Sequence, residues 1–448
     1  MTSMRALAES ARPHLPRQTF ACWAAIFFSL SVFTLLISIA ATQAFLFLSV
    51  LCFVIHWWRE KTERGEHPRV SFPPIKLPLA IFCAWTVFST FFAEDRATGG
   101  FVIRKLVLFA IILVAVNVVQ SLRHLEVLFF GFFIEAGLAG FVGAIQFVEQ
   151  YRQVSALHPD RVFKLMMLSR ITGFMGHWMN FSGQQMMAFT SLAALLFAWV
   201  ALGRKANAAP ELPKFNIVGW ILIAVIGLSI FLSFTRGVWL GCFVGIVYLL
   251  ARRFPLWLWV LPVLMLAGYF VSPRMIRERV NQALHPSSDR SVSIRFEMWS
   301  AGLEMVKRHP WVGVGPNNIP EVYPLYLPPG KTPEIGYHDH LHDNIIQLAA
   351  ERGLPCLAAW LWMMGAFGWQ ALRIRRRLRA LPQAAWIADA AFASWLAFVA
   401  EGFFEFNFGT SPVLMVFLFV ASTPFIVESL ENAAQTRQLE TAAGNAAS

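Results

Sequence analysis

Charge is scarce in this chain. Asp, Glu, Lys and Arg together make up 14% of its 448 residues, while hydrophobic residues make up 57%. That balance excludes an ordinary soluble globule, in which about 25% of residues are charged. Acidic residues are the scarcer sign, 26 against 37 basic, for a formal net charge of +11. Cysteine is rare too. Cys22, Cys52, Cys83, Cys242 and Cys356 fall in or beside apolar runs with no paired spacing. This excludes a disulfide framework or zinc finger and reads them as packing residues. The chain also lacks a His-Glu-x-x-His pattern, a P-loop lysine and an acidic cage in its outward segments, so metal and nucleotide chemistry have no motif to rest on.

What the chain has is apolar runs, each close to the roughly 20 residues that cross a bilayer core. They predict an all-α polytopic membrane protein with about twelve spans: 20–40, 44–58, 77–93, 101–119, 125–149, 181–202, 216–234, 237–251, 255–271, 344–370, 383–402 and 410–428. The stretch 20–58 has an alternative break at Ala41-Thr42-Gln43. The first span is long, has no small-residue cleavage site and is followed by another span, so it reads as retained.

The positive charge then reports orientation rather than nucleic acid. With the N-terminus inside, the short cytoplasmic loops hold Arg59, Lys61, Arg123, Arg204, Lys205, Arg252, Arg253 and the run Arg373-Ile374-Arg375-Arg376-Arg377, as the positive-inside rule asks. Both termini are expected in the cytoplasm. The expected organisation is nine spans over 1–271, an outward loop at 272–343 with a helix at 291–308, three spans over 344–430 and a disordered cytoplasmic tail at 431–448. The outward segment 150–180 breaks the rule with Arg152, Arg161, Lys164 and Arg170.

Several outward residues invite a chemical reading. Arg236, in Ser233-Phe234-Thr235-Arg236-Gly237, reads as a snorkelling anchor or as a guanidinium that grips a lipid phosphate. Arg295 and Trp299 lie one turn apart on a predicted helix, as a cation–π pair or as an interfacial face toward a headgroup. Gly313 and Gly315 read as a structural turn. The densest cluster is His338-Asp339-His340-Leu341-His342-Asp343. It admits a zinc site, a pH-sensing cluster, or a general base oriented by Asp339 or Asp343, either of which also suits the cap of the next helix. Titratable groups gathered at one face favour chemistry over a lipid-linked saccharide transporter, which places them near the midplane.

The order Arg170-x-x-Gly173, Ser233-x-Thr235-Arg236-Gly237, Arg295-x-x-x-Trp299, Pro310-x-x-Gly313-x-Gly315, then His340-x-His342-Asp343, Gln347 and Glu351-x-Gly353 resembles the O-antigen ligase and polymerase superfamily. Asp343 stands where that superfamily usually has asparagine. The resemblance implies a GT-C-like helical glycosyltransferase of the bacterial inner membrane with a large periplasmic loop. It implies undecaprenyl-diphosphate-linked O-antigen as donor and a lipid A–core hydroxyl as acceptor, with O-antigen polymerase and protein O-oligosaccharyltransferase as the family's other activities. On that reading His338, His340 and His342 supply the base, and Arg170, Arg236, Arg290 and Arg295 bind the diphosphate. Trp299, Asp339 and Asp343 support them. No cofactor or metal is expected, and the partners are the two lipid-linked substrates and membrane lipid.

Overall fold

The computed structural model describes residues 19–64, 70–203, 216–285, 290–328, 330–332, 339–378 and 381–447, and among these the regular structure is entirely helical. The helices run α1 (Thr19–Val32), α2 (Ile39–Arg64), α3 (Lys76–Thr90), α4 (Arg96–Val118), α5 (Leu122–Leu157), α6 (Val162–Leu168), α7 (Trp178–Gly203), α8 (Asn216–Leu232), α9 (Arg236–Arg253) and α10 (Trp257–Val271). They continue as α11 (Arg274–Leu284), α12 (Arg290–Arg308), α13 (Ile319–Val322), α14 (Asn344–Arg377), α15 (Pro382–Glu401) and α16 (Ser411–Ala447). A helix falls on each of the twelve apolar windows. Six are long and apolar enough to cross a bilayer, and four more are shorter apolar helices. The architecture is that of a polytopic membrane protein.

Burial grades the bundle. In α16 the most apolar window is 83% buried, in α2 only 17%, so the C-terminal helices form the centre and the N-terminal hairpin the flank. Small residues let the central helices approach. A Cβ on Gly245 would come within 3.1 Å of the Ala393 carbonyl, and one on Gly241 within 2.8 Å of the Ala397 carbonyl, which seats α9 on α15 as small residues do in membrane bundles. At one end of the bundle Asp389 accepts from Arg253 (2.9 Å), Arg375 (2.8 Å) and Tyr248 (3.1 Å), tying α9, α14 and α15. The candidate chemistry lies at the other end.

Two expectations change. The first hairpin turns at Phe33–Ser38 rather than at Ala41-Thr42-Gln43. Ser38 Oγ accepts from the Ala41 amide at 3.3 Å, which starts α2 earlier than hydropathy alone implies. Residues 431–447, expected as a disordered tail, continue α16; their Ala, Glu, Gln and Leu content has strong helix propensity.

The loop that precedes α14 is spliced into that helix. That helix breaks at Gly353, whose φ is +80°, and the chain from Pro310 fills the break. The Val314 amide donates to the Ala350 carbonyl (2.8 Å), the Gly315 amide to the Glu351 carbonyl (2.9 Å) and the Leu354 amide to the Pro310 carbonyl (2.8 Å). A Cβ on Gly313 or Gly353 would collide with the opposing backbone, so both glycines are required for this close approach. The Gly-x-Gly is a structural turn.

Candidate functional site

Among the described residues of the histidine segment, 339–343, none is helical before α14. Asp343 caps that helix, its Oδ1 accepting from the Ile346 amide at 2.7 Å, and His342 just before it holds φ +51°. A non-glycine residue in this region is strained, a cost that surrounding contacts must offset. Here they come from three sides. The Trp299 indole donates to the Leu341 carbonyl (3.1 Å), the Leu341 amide donates to Gln347 Oε1 (2.6 Å), and the Asn344 amide donates to the Gly402 carbonyl (2.8 Å). Gln347 in turn donates to Glu351 Oε1 at 2.8 Å, which also accepts from the Asn317 amide at 3.0 Å. Gln347, Glu351 and Gly353 therefore form the scaffold beneath the histidines.

The carboxylate that meets the histidines is Glu405, from the turn between α15 and α16. His340 Nε2 lies 2.8 Å from Glu405 Oε1, and His342 Nδ1 lies 3.0 Å from Glu405 Oε2. Glu405 is 6% exposed. Burial raises a carboxyl's pKa, but the two imidazoles outweigh it and hold Glu405 well below 4.5. An ionised carboxylate only accepts hydrogen bonds, so each histidine donates from the nitrogen that faces it. His340 Nδ1 and His342 Nε2 then carry the lone pairs when neutral. For His340, burial lowers the pKa, but the hydrogen bond and charge of Glu405 outweigh it and raise it above 6.5. The two rings stand 4.2 Å apart.

Glu405 was not legible from the motifs, since 65 positions separate it from His340. The available signal was a pair of carboxylates, Glu401 and Glu405, in an aromatic turn between two apolar runs. Asp343, read as a possible orienting carboxylate, is occupied as a cap, and Asp339 is exposed and acts on His340 through its charge, behind Glu405. His338 lies outside the described residues, as does the side chain of Arg290.

The arginines come from separate elements at this end of the bundle. Arg236 opens α9 and donates to Ser291 Oγ on α12 at 3.0 Å, while a Cβ on the neighbouring Gly237 would touch Glu401 and Phe404. Arg295 is half-buried one turn before Trp299, and Trp299 holds the carbonyl between the two histidines. Arg170 stacks over the Trp178 ring at 5.2 Å. Its segment is pinned by Gln146, which accepts from the Thr172 and Gly173 amides (3.0 and 2.9 Å). Beside it stands His177, another residue absent from the sequence reading. Its ring packs 4.0 Å from Trp178, and burial and the nearby Arg170, His340 and His342 lower its pKa despite Glu405. Arg279 was also unforeseen; it is buried and donates to the Phe234 carbonyl at 3.1 Å, two residues before Arg236.

Chemically the centre offers an oriented imidazole pair in a setting that carries several cations. His340, His342 and Glu405 also offer ligand atoms within 4.8 Å of one another, a His₂Glu set that zinc accepts. An ion there would replace both imidazole–carboxylate hydrogen bonds.

Residues 220–361, about a third of the chain, match the profile of a family described as O-antigen ligase. The matched segment includes Arg236, Arg295, Trp299, both described histidines and the scaffold Gln347–Gly353, and it supports the O-antigen ligase superfamily resemblance. No curated protein matches the chain.

Proposed function

Taking that superfamily as the premise, we propose that the chain is an O-antigen ligase of the inner membrane, crossing it twelve times in a GT-C-like arrangement with both termini cytoplasmic. It transfers polysaccharide from undecaprenyl diphosphate to a hydroxyl of lipid A–core at the periplasmic face. The observation that carries this reading is Glu405 orienting two adjacent imidazoles at the end of the bundle where Arg170, Arg236 and Arg295 also lie. A neutral histidine, through His340 Nδ1 or His342 Nε2, takes the acceptor hydroxyl proton. The acceptor oxygen bonds the anomeric carbon as the bond to the diphosphate oxygen breaks, and undecaprenyl diphosphate leaves with the electron pair. One displacement inverts the anomeric centre. The arginines stabilise charge that grows on the leaving group, in a site where fixed cations are worth more than in water. They fill the role that a metal ion plays elsewhere.

The deciding experiment is a deletion strain examined by lipopolysaccharide gel. Uncapped core with intact polymer on the carrier supports the ligase. A single repeat on core assigns the chain as a polymerase instead.

A further inference from the structure

Two adjacent cations, Arg104 and Lys105, interrupt the apolar helix α4 and have no part in the chemistry above. Lys105 is the shared wall of two cavities. Outside it lies a cleft of about 320 Å³ lined by Gln43, Leu46, Phe47, Arg104, Val107 and Leu108. Inside it lies a cavity of about 30 Å³ whose walls include Phe82, Phe109, Phe406, Glu351 and Arg352, with room for about two waters.

The charges there are unbalanced. Glu351 already serves Gln347, the Asn317 amide and, at 3.5 Å, Arg352. Arg352 is 5% exposed, lies over the Phe82 ring at 5.6 Å and has no protein hydrogen-bond partner at Nε, so its charge is only partly met by Glu351. Lys105 donates to the Gly409 carbonyl at 2.8 Å, which leaves two of its three N–H groups available. Among the described residues neither Lys105 nor Arg104 has a carboxylate within ion-pair distance: Glu351 acts on Lys105 only through its charge from the inner cavity, and Arg104 lies over the Phe101 ring at 4.9 Å. On the cleft's rim Phe47 and Val107 are 61% and 59% exposed, a surface suited to acyl chains. An ionisable group set into a membrane helix is a functional site by default.

We infer that this cleft binds the phosphate of an amphiphile arriving from the bilayer. Arg104 and Lys105 contact the phosphate oxygens, Arg352 adds charge from behind, and the chain lies along Leu46, Phe47 and Val107. Phe406 separates the inner cavity from the site, its ring 6.4 Å from that of His340. The bound amphiphile is thereby placed as the lipid-borne acceptor, an assignment that rests on the transferase reading.

The test uses the full chain in neutral detergent, titrated with dioctanoyl phosphatidic acid, dioctanoylglycerol and inorganic phosphate. The lipid phosphate is expected to bind saturably, with the other two at least about tenfold weaker. Lys105→Gln and Arg104→Gln each weaken it about tenfold, and Lys105→Arg retains it. Arg104 is exposed, so its variant keeps the test valid if Lys105→Gln misfolds. Unchanged binding in Arg104→Gln, or equal binding of either control ligand, overturns the proposal. In a transfer assay the Gln variants raise KM for the acceptor and not for the donor. Lost lipid binding with an unchanged acceptor KM overturns the acceptor assignment alone.

Discussion

Replacing Glu405 by glutamine changes one oxygen into an NH₂ group and removes the charge at the centre of the histidine cluster. Both carboxylate oxygens are in use, at 2.8 and 3.0 Å. The amide can accept from only one imidazole and must donate to the other, which then has to turn its lone pair away from the substrate side. The histidine so reversed is lost as a base, and a positioned base contributes about 10²–10⁴-fold to rate. The cost in folding is smaller, about 1–3 kcal/mol for a mismatched buried donor or acceptor, so the protein still inserts. The pH dependence separates this account from simple misfolding. Activity needs neutral imidazole, and Glu405 raises His340 above 6.5, so the wild-type rate climbs with pH through a value above 6.5. With glutamine, burial dominates and the rising limb moves to more acid pH. Stability follows the same pair. The contribution of Glu405, whose folded pKa is depressed, is complete above about 4.5 and fades as pH falls through the depressed value. The contribution of His340, whose folded pKa is raised, is complete below about 6.5 and is lost as pH rises through the raised value. The pair therefore stabilises most between 4.5 and 6.5, and thermal melts of Glu405→Gln lose that maximum. The assay is transfer between purified lipid-linked donor and acceptor in detergent from pH 5 to 9. A Glu405→Gln enzyme with its rate within about threefold of wild type and its limb unmoved would refute the reasoning.

Single replacements His340→Ala and His342→Ala are expected to lower transfer by about 10²-fold or more while membrane insertion is retained; full activity in both removes the base from this cluster. Arg236→Lys and Arg295→Lys keep the charge but lose the guanidinium fork, and are expected to reduce transfer and undecaprenyl diphosphate binding about ten- to hundredfold. Arg123→Lys, at the far end of the bundle, leaves both unchanged, and equal behaviour of all three variants would reduce Arg236 and Arg295 to anchors. Purified enzyme is expected to turn over in excess EDTA; if zinc restores a chelator-inhibited enzyme, His340, His342 and Glu405 are ligands instead. Gly353→Ala forces a side chain into φ +80° against the Trp311 carbonyl and is expected to cost about 3 kcal/mol or more, seen as a lowered melting temperature.

The helices were readable because lipid demands long apolar runs, and each run folds as a helix. Their ends were less readable where a side chain sets the boundary, as Ser38 does for α2. In the site, His340, His342 and the arginines stood out as polar residues beside apolar spans. Their partner did not, because Glu405 meets them only through the packing of α15 and α16. The two roles open to Asp343 were separated by a backbone amide 2.7 Å away, a distance no spacing rule contains.

The scaffold under the histidines also restricts how the gene can change length. Leu341 is tied to Gln347, Asp343 to Ile346 and Gln347 to Glu351, while Glu351 and Ala350 receive the strand of chain from Val314 and Gly315. Each residue added or removed between 343 and 351 would turn the rest of the helix by about 100°. Gln347 would swing from beneath Leu341, and the histidines would lose their register with Glu405. Insertions and deletions in this stretch are therefore excluded, and the spacing from His340 to Gly353 is held fixed by mechanics as firmly as the scaffold residues are by chemistry.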